Sequence, residues 1–444
     1  MRHISTRLVL ISLLLVVLAG CGQNKPQNVV LIVVDTTRAD HLSVYGYDRP
    51  TTPHLEQWAE RGLIFDRAFA PSPWTLPTFG SVLTGLWPSQ HSAGSRLQTD
   101  GKKWRRAPLS QAVTTLPEAM KREGFATGAI VNNAFLREQF GAARGFEFYD
   151  YKKSRRARPV VDLAQEWLSE HGQNPFFMMI HMIDPHLPYE PPSDLLGKFG
   201  ELGGDDVAAR GRKKIIDMMD DMSDSDWVTL TARYDEEIAF VDQELGRLFG
   251  WLEDQGLWDQ TLIVLTSDHG EELLDHGGFE HGHAMFQEVL RVPLMIWGPG
   301  VRSGRVESPV SLLDLKLTIL EATGIEVDEA LAGVSLWGSL QTGARPKHRE
   351  LLAQNVLWGR EHQAIVSWPY KLIHYPKSDR RQLFDLSGDP EEAMDLAESK
   401  PAVSDEMERR LLDKLANLQI RAVGSGVKLT EEMEEELRAL GYLD

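Results

Sequence analysis

The sequence is almost without cysteine, since Cys21 is the only one among 444 residues. A disulfide within the chain is therefore excluded, and so is a cysteine nucleophile beyond residue 21. Positive charge is also scarce, because 47 Lys and Arg stand against 65 Asp and Glu, for a net charge of −18. This balance disfavours nucleic acid as a partner but does not restrict a small substrate, because a local pocket can still be cationic.

Long hydrophobic runs are missing after the first twenty residues, where LVLISLLLVVLAG follows the basic start MRHISTR. That run is shorter than a transmembrane helix normally requires, and it predicts a cleaved signal peptide at 1–20. The Leu-Ala-Gly before Cys21 resembles a bacterial lipobox, in which the cysteine is lipidated. An ordinary signal peptide with a chance cysteine is the alternative. We expect a lipid-anchored protein of the cell envelope with a tether at 21–27, at the outer membrane, facing the periplasm or outside the cell.

The rest of the chain alternates strand and helix patterns. NVVLIVV, FFMMIHMI and TLIVL are continuous apolar runs typical of strands buried on both faces. From residue 346 onwards, short runs such as AIVSW and YKLIHY predict a small antiparallel sheet, followed by two helices. We therefore predict an α/β fold: a central mixed, mostly parallel sheet with helices on both faces at 28–345, plus a small C-terminal α+β unit at 346–444. The charged stretch 198–230 predicts a surface insertion or lid.

Acidic and imidazole side chains follow two of these strands. Asp35 ends the first strand, and Asp268 and His269 follow TLIVL. The carboxyl ends of parallel strands meet where α/β sheets bind ligands, and carboxylate and imidazole groups are metal ligands. The sequence therefore predicts one split metal site for a divalent ion.

Thr75 lies in SPWTLPTFGSVLTG, before a helix predicted over 78–86. A hydroxyl is a poor nucleophile unless a metal or base activates it, and a helix N-terminus favours negative charge. Thr75 is thus a candidate nucleophile and metal ligand. The alternative is a helix N-cap, a common role for threonine.

The order and spacing of the motifs resemble the sulfatase family of the alkaline-phosphatase superfamily over about residues 28–400. The motifs are NVVLIVVDTTRADHLSVYGY, PTFGSVLTGLWPSQH, DPHLPY, TLIVLTSDHGE, RVPLMIWGPG and QLFDLSGDPEEAMDL. The resemblance implies a catalytic domain at 28–345.

The resemblance also implies roles for particular residues. Asp35, Asp268 and His269 would bind the metal, and Thr75 occupies the nucleophile position. His186 would contact the ester anion or protonate the leaving group, and His281 would lie on the substrate side. The family's substrate lysine corresponds to Asn132 or Asn133, of which we choose Asn133 as the substrate-binding residue. Asp184 is a candidate for a second ion, whereas a structural role is expected for His181, His276 and His283. His186 and His281 have the same alternative.

Departures from the family pattern define the chemistry further. Sulfatases carry Cys or Ser in C/S-x-P-x-R and convert it to formylglycine, but here Thr75 stands at that position and Phe79 replaces the arginine. Thr36 also replaces the second aspartate of the first motif. Formylglycine chemistry is therefore not expected, and a threonine nucleophile resembles phosphodiesterases and phosphoethanolamine or phosphoglycerol transferases of the superfamily.

We predict a metal-dependent hydrolase of sulfate or phosphate esters, with Ca, Zn or Mn as one or two ions. The substrate would be a small-molecule, glycan or lipid ester. The alternatives are a phosphoryl-group transferase and a sulfatase-like binding protein that has lost catalysis.

The lipobox-like segment yields a direct prediction. Mass spectrometry of the mature N-terminus, purified from the native host, should find an acylated Cys21 as the first residue. In a Cys21→Ser variant the cysteine that would be lipidated is missing. The variant protein should therefore either retain its signal peptide or be absent from the membrane fraction. Recovery of a free thiol on a chain that begins at Met1 would contradict the prediction.

Overall fold

The computed structural model describes residues 25–99, 103–200, 207–327, 329–419, 426–427 and 429–439. The predicted signal peptide, Cys21 and most of the predicted tether lie outside these residues, as does 201–206 in the predicted surface insertion. Among the helices of the described ranges, none combines the length and the apolar character that crossing a membrane requires.

Short strands and a few long ones build five sheets. In chain order the strands are β1 (Asn28–Val34), β2 (Leu63–Phe65), β3 (Ala68–Phe69), β4 (Arg96–Thr99), β5 (Lys103–Arg106), β6 (Ala126–Val131), β7 (Phe148–Tyr151), β8 (Phe176–Met182), β9 (Thr261–Thr266), β10 (Glu272–Leu273), β11 (Phe279–Glu280), β12 (Arg291–Val292), β13 (Leu294–Trp297), β14 (Gly304–Val306), β15 (Val310–Ser311), β16 (Leu351–Ala353), β17 (Gln363–Ser367), β18 (Tyr370–Tyr375) and β19 (Arg380–Asp385).

Helices connect these strands. In chain order they are α1 (Pro53–Ala59), α2 (Thr75–Thr84), α3 (Pro88–His91), α4 (Leu116–Arg122), α5 (Ala157–His171), α6 (Arg212–Met218), α7 (Asp224–Asp254), α8 (Gln287–Leu290), α9 (Asp314–Thr323), α10 (Trp337–Thr342), α11 (Pro401–Asn417) and α12 (Glu431–Ala439).

The central sheet has eight strands in the order β14-β2-β13-β9-β1-β8-β6-β7. All of its strands run parallel except β13, which is antiparallel to both of its neighbours. The predicted central mixed, mostly parallel sheet is confirmed. Because β9, β1, β8 and β6 are adjacent and parallel, the residues that follow them emerge along one edge of the sheet.

Both faces of the sheet are covered. Along β1 the side chains alternate between two hydrophobic clusters: Val29, Leu31 and Val33 join one, and Val30, Ile32 and Val34 join the other. Helices α2, α4 and α9 supply the first cluster, while α5 and α7 supply the second. A strand buried on both faces cannot alternate polar and apolar residues, which explains the unbroken run NVVLIVV.

Apolar residues at helical spacing predict a helix over 231–256, and helix α7 is longer than this pattern. Its apolar positions are buried as expected, including Ile238, Val241 and Leu245. The helix begins at Asp224 rather than at residue 231, because Ser223 caps it and Asp226 completes a capping box. The stretch 198–230 thus contains regular helix, with α6 and the first turns of α7.

The C-terminal unit contains the antiparallel sheet β16-β17-β18-β19, as predicted. Helix α11 covers it, with Met407 and Leu411 packed against Ile365 and Leu372. Helix α12 does not pack on this antiparallel sheet: its Met433 and Leu437 join the cluster around Trp74 and Phe135. The predicted boundary between residues 345 and 346 stays a prediction.

The fully buried strand β1 gives a stability prediction. Ile32→Ala removes a side chain that is 0% exposed and should cost about 2–5 kcal/mol, because a cavity remains in a packed core. Ile216→Ala, at a helical position that is 37% exposed, is the matched control and should change stability little. Equal shifts of the urea midpoint in the two variants would contradict this account of the core.

Candidate active site and metal centre

Four adjacent strands deliver the candidate site residues to one edge of the sheet. Asp35 follows β1, Asp268 follows β9 and Asn133 follows β6, while His181 is near the end of β8. The register of the strands, with Val33 opposite both His181 and Thr266, places these chain segments side by side.

Hydrogen bonds fix the loops after β1 and β9 to each other. The amide of Thr37 donates to Ser267 Oγ over 2.9 Å, and that hydroxyl donates to the carbonyl of His269 over 2.6 Å. Thr36 adopts a left-handed conformation with φ 51°, which is costly for a β-branched residue and is found mainly where surrounding structure enforces it. This sharp turn separates Asp35, which faces the site, from the rest of the loop.

Asp35, Asp268 and His269 form a compact buried group. One ligand atom from each lies within 4.8 Å of the others. His269 Nδ1 is 3.0 Å from the carbonyl of Gly270, so this nitrogen carries the proton and leaves Nε2 to accept. Nε2 faces the group, at 3.3 Å from Asp268 Oδ2 and 3.7 Å from Asp35 Oδ1.

The electrostatics of this group favour a cation. Burial raises the pKa of Asp268 well above its usual value, and the negative charge of Asp35 raises it further. Burial also acts to raise the pKa of Asp35, but the hydrogen bond from His181 and the nearby His186 and His269 rings bring it below its usual range. Burial lowers the pKa of His269 to about 4, which keeps its ring neutral as metal ligation requires.

Unpaired oxygens complete the argument for a metal. Asp35 Oδ1 and Asp268 Oδ2 are buried, and within the described ranges no donor hydrogen-bonds to them. Buried carboxylate oxygens without hydrogen-bond donors destabilise the folded protein unless a cation is bound to them. Two carboxylates and one neutral imidazole suit Zn or Mn and also accommodate Ca. The residues present therefore fit a divalent ion, and their role as ligands stays a prediction.

Thr75 lies beside this group. Thr75 is the first residue of α2, and the N-cap position is occupied by Trp74, with no side-chain capping bond. The alternative role of Thr75 as the N-cap is therefore not supported. Its Oγ1 is 3.4 Å from His269 Nε2. The helix begins at Thr75 rather than at residue 78, which puts the hydroxyl directly in the first turn, where the helix dipole favours negative charge.

Asn133 and His181 contact the carboxylate of Asp35, and Asn133 also contacts the hydroxyl of Thr75. Asn133 Nδ2 donates to Asp35 Oδ2 over 2.9 Å and to Thr75 Oγ1 over 3.2 Å. Asn132 instead donates to the carbonyl of His181. His181 Nε2 is 3.2 Å from Asp35 Oδ2, although the sequence pattern favoured a purely structural role for it. The available signal was a polar residue within the otherwise apolar run FFMMIHM.

The predicted catalytic histidines lie together on the other side of the group. The ring centroid of His281 is 4.3 Å from that of His269 and 5.2 Å from that of His186. His186 Nδ1 is 2.8 Å from the carbonyl of Leu187, and His281 Nδ1 is 2.8 Å from Glu271 Oε1. Sequence reasoning missed Glu271, whose signal was its position directly after SDHG.

Other candidates are engaged elsewhere. Asp184 accepts hydrogen bonds from the amide of Ala157 and from Arg156, outside the buried group. That placement does not favour a second metal ion at Asp184. His276 and His283 pair with Glu288 and Glu272, which agrees with the structural roles expected for them.

Comparisons with known proteins agree with this class of fold and site. The family model described as "Sulfatase" matches residues 27–325, and the model for the C-terminal part of N-sulphoglucosamine sulphohydrolase matches 275–421. The chain belongs to the sulfatase family and is a sulfuric ester hydrolase by class. The predicted family is thereby confirmed.

Relatives match most of the chain. The N-acetylglucosamine-6-O-sulfatase of Bacteroides thetaiotaomicron is 23% identical over 481 residues, covering 84% of this chain and 84% of that protein. A solved 2-O GAG sulfatase has a TM-score of 0.75 at 19% identity, covering 94% of this chain and 96% of that one. The phosphonate monoester hydrolase of Agrobacterium radiobacter has a TM-score of 0.70 at 21% identity, covering 89% and 96%.

The buried group predicts a metal content. Purified protein should hold about one divalent ion per chain, and Asp268→Asn should lose most of it, because ligation needs the negative oxygen. Asp184→Asn is the matched control and should keep the ion. Chelation should lower the melting temperature of the parent protein and the control, but not that of Asp268→Asn. Equal metal content in all three proteins would contradict the assignment.

Proposed function

We propose that the enzyme hydrolyses a sulfate or phosphate ester through Thr75 as a covalent nucleophile. The observation that carries the proposal is the position of Thr75 Oγ1, in the first turn of α2 and 3.4 Å from His269 Nε2. A divalent ion held by Asp35, Asp268 and His269 would supply Lewis-acid stabilisation of negative charge at this point.

In the first step Thr75 Oγ1 loses its proton to water and attacks the sulfur or phosphorus atom of the ester, and the bond to the alcohol oxygen breaks. Asn133 orients the hydroxyl, because its amide spans Asp35 and Thr75. The N-terminus of α2 stabilises charge on the transferring group. The products of this step are the free alcohol and a sulfo or phospho group on Thr75.

The departing alcohol oxygen needs a proton. Burial lowers the pKa of His281 well below its usual value, so that ring is neutral and serves as a hydrogen-bonding group near the substrate. We assign the proton to His186, whose ring lies against His281. Glu271 and the backbone carbonyl of Leu187 orient these two rings.

In the second step water attacks the sulfur or phosphorus atom on Thr75 and restores the hydroxyl. The bond between that atom and Thr75 Oγ1 breaks, a proton from the attacking water passes to Oγ1, and the group leaves as inorganic sulfate or phosphate. A formylglycine hydrate would open by eliminating the group, but a threonine cannot form that hydrate. The covalent group must therefore be removed by direct attack, which also needs stabilisation of charge on the transferring group.

Three similar proteins bear on the substrate. The N-acetylglucosamine-6-O-sulfatase relative and the 2-O GAG sulfatase structure support a sulfated sugar. The phosphonate monoester hydrolase structure supports a phosphorus ester, which also suits a threonine nucleophile. Turnover of matched aryl sulfate, phosphate monoester, phosphodiester and phosphonate monoester substrates decides between them, and turnover of none would contradict the proposed function.

The covalent role predicts a sharp effect of substitution. Thr75→Ala should lower kcat by roughly 10³- to 10⁶-fold, because a covalent nucleophile is lost. Thr75→Ser should keep part of the activity, since it retains a hydroxyl. Steady-state kinetics on the best of the aryl substrates measures both.

Thr84→Ala provides the matched control. Thr84 lies at the far end of the same helix and donates to the carbonyl of Gly80, so the chemical change is identical but distant from the site. Its kcat should remain within about twofold of the parent value, as expected for a site away from the chemistry. If Thr75→Ala keeps the activity of the parent protein, the covalent mechanism is wrong.

A further inference from the structure

Two arginines on the hairpin β4-β5 converge on a single carbonyl. Arg96 and Arg106 are cross-strand partners. Arg96 Nη2 donates to the carbonyl of Leu357 over 3.0 Å, and Arg106 donates to the same oxygen and to the carbonyl of Gly94. Across the described part of the chain, neither guanidinium forms an ion pair with a carboxylate.

Other arginines around the site are neutralised by acidic partners. Arg38 pairs with Asp40 and Asp275, and Arg212 pairs with Glu280. Arg96 and Arg106 differ in this respect from Arg38 and Arg212, although the chain carries a net charge of −18. Two like charges facing each other across a strand pair destabilise the hairpin, and one shared carbonyl does not cancel them.

The arginine pair is adjacent to both loops of the candidate site. Arg106 Cζ is 4.9 Å from the ring centroid of Trp74, the residue before Thr75. On the other side, the amide of Leu357 donates to the carbonyl of Gly282 over 2.7 Å, next to His281. The pair therefore lies between the segment that carries the nucleophile and the segment that carries a catalytic histidine.

The surroundings of the pair hold an acidic side chain, Glu361, whose charge acts on both guanidinium groups. Burial and the charge of Arg96 lower the pKa of Arg106 to about 9. Glu361 accepts a hydrogen bond from the amide of Asn355, and burial raises its pKa although Arg96 and Arg106 act to lower it. An external anion would relieve the repulsion that this carboxyl leaves in place.

We propose that Arg96 and Arg106 bind a second acidic group of the substrate, beyond the ester that reacts. This inference rests on the proposed function. Guanidinium groups bind carboxylate, sulfate and phosphate through parallel hydrogen bonds, and a pair of them suits one such anion. The substrate class is therefore an ester that carries a further carboxylate, sulfate or phosphate, as in an acidic glycan.

Equilibrium binding and kinetics on three probes test this inference. The probes are a monosulfated disaccharide with a neutral second sugar, the same compound with a uronic acid, and a disulfated disaccharide. Arg96→Gln changes an exposed side chain, and it should weaken binding of both doubly acidic probes by roughly tenfold while leaving the neutral-sugar probe within about twofold. Arg106→Lys keeps the charge but not the fork, and should give an intermediate loss.

A matched control and the contrary outcomes complete the design. Arg302 also donates to a carbonyl, that of Thr342, but lies beyond the opposite end of the sheet, so Arg302→Gln should change nothing. A uniform loss on all three probes, or no preference of the parent protein for the doubly acidic ones, would overturn the inference. Calorimetric binding in a Thr75→Ala background makes the test independent of turnover, so failure of the proposed chemistry remains a separate result.

Discussion

The site depends on the enforced proximity of two buried carboxylates. Asp35 and Asp268 follow neighbouring strands whose backbones are hydrogen-bonded along their whole length, so the two side chains cannot separate without disrupting the centre of the sheet. Repulsion between them is strong because water is excluded. A cation between them would turn this repulsion into attraction, and the surrounding groups leave carboxylate oxygens and one imidazole nitrogen close together, as such a cation would require.

Tight packing around Thr75 also holds a site residue in a fixed position. All ten residues of α2 are buried, and Thr78 Oγ1 donates to the carbonyl of Ser72 to hold the turn before the helix. Ser72 and Trp74 in turn donate to the carbonyl of Asn355 in the C-terminal segment. The proposed nucleophile is thus positioned by elements distant in sequence, as a preorganised site requires.

The sequence allowed prediction of those features that are local. Asp35, Asp268 and His269 could be recognised because Asp35 directly follows one continuous apolar run, Asp268 and His269 come shortly after another, and the carboxyl ends of such strands meet. Helix α7 was recognisable by the spacing of Ile238, Val241 and Leu245. Its start at Asp224 was missed, because the capping box around Ser223 lies within a polar stretch that resembles an irregular insertion.

Contacts between distant segments could not be predicted in this way. His181 faces Asp35 only because β8 pairs with β1. The group that its Nε2 atom contacts cannot be inferred from a single run of residues. Glu271 orients His281 across a loop whose path depends on β10 and β11. The arginine pair arises from the register of β4 and β5, which places Arg96 opposite Arg106 although neither belongs to a recognisable motif.

The stereochemical course of hydrolysis tests the central claim most directly. An ester made chiral at sulfur or phosphorus by isotopic or sulfur substitution is hydrolysed in labelled water, and the configuration of the product is determined. Attack by Thr75 followed by attack of water inverts the centre in both steps, so we expect overall retention. Overall inversion would mean that water attacks the ester in a single step, and it would contradict a covalent role for Thr75.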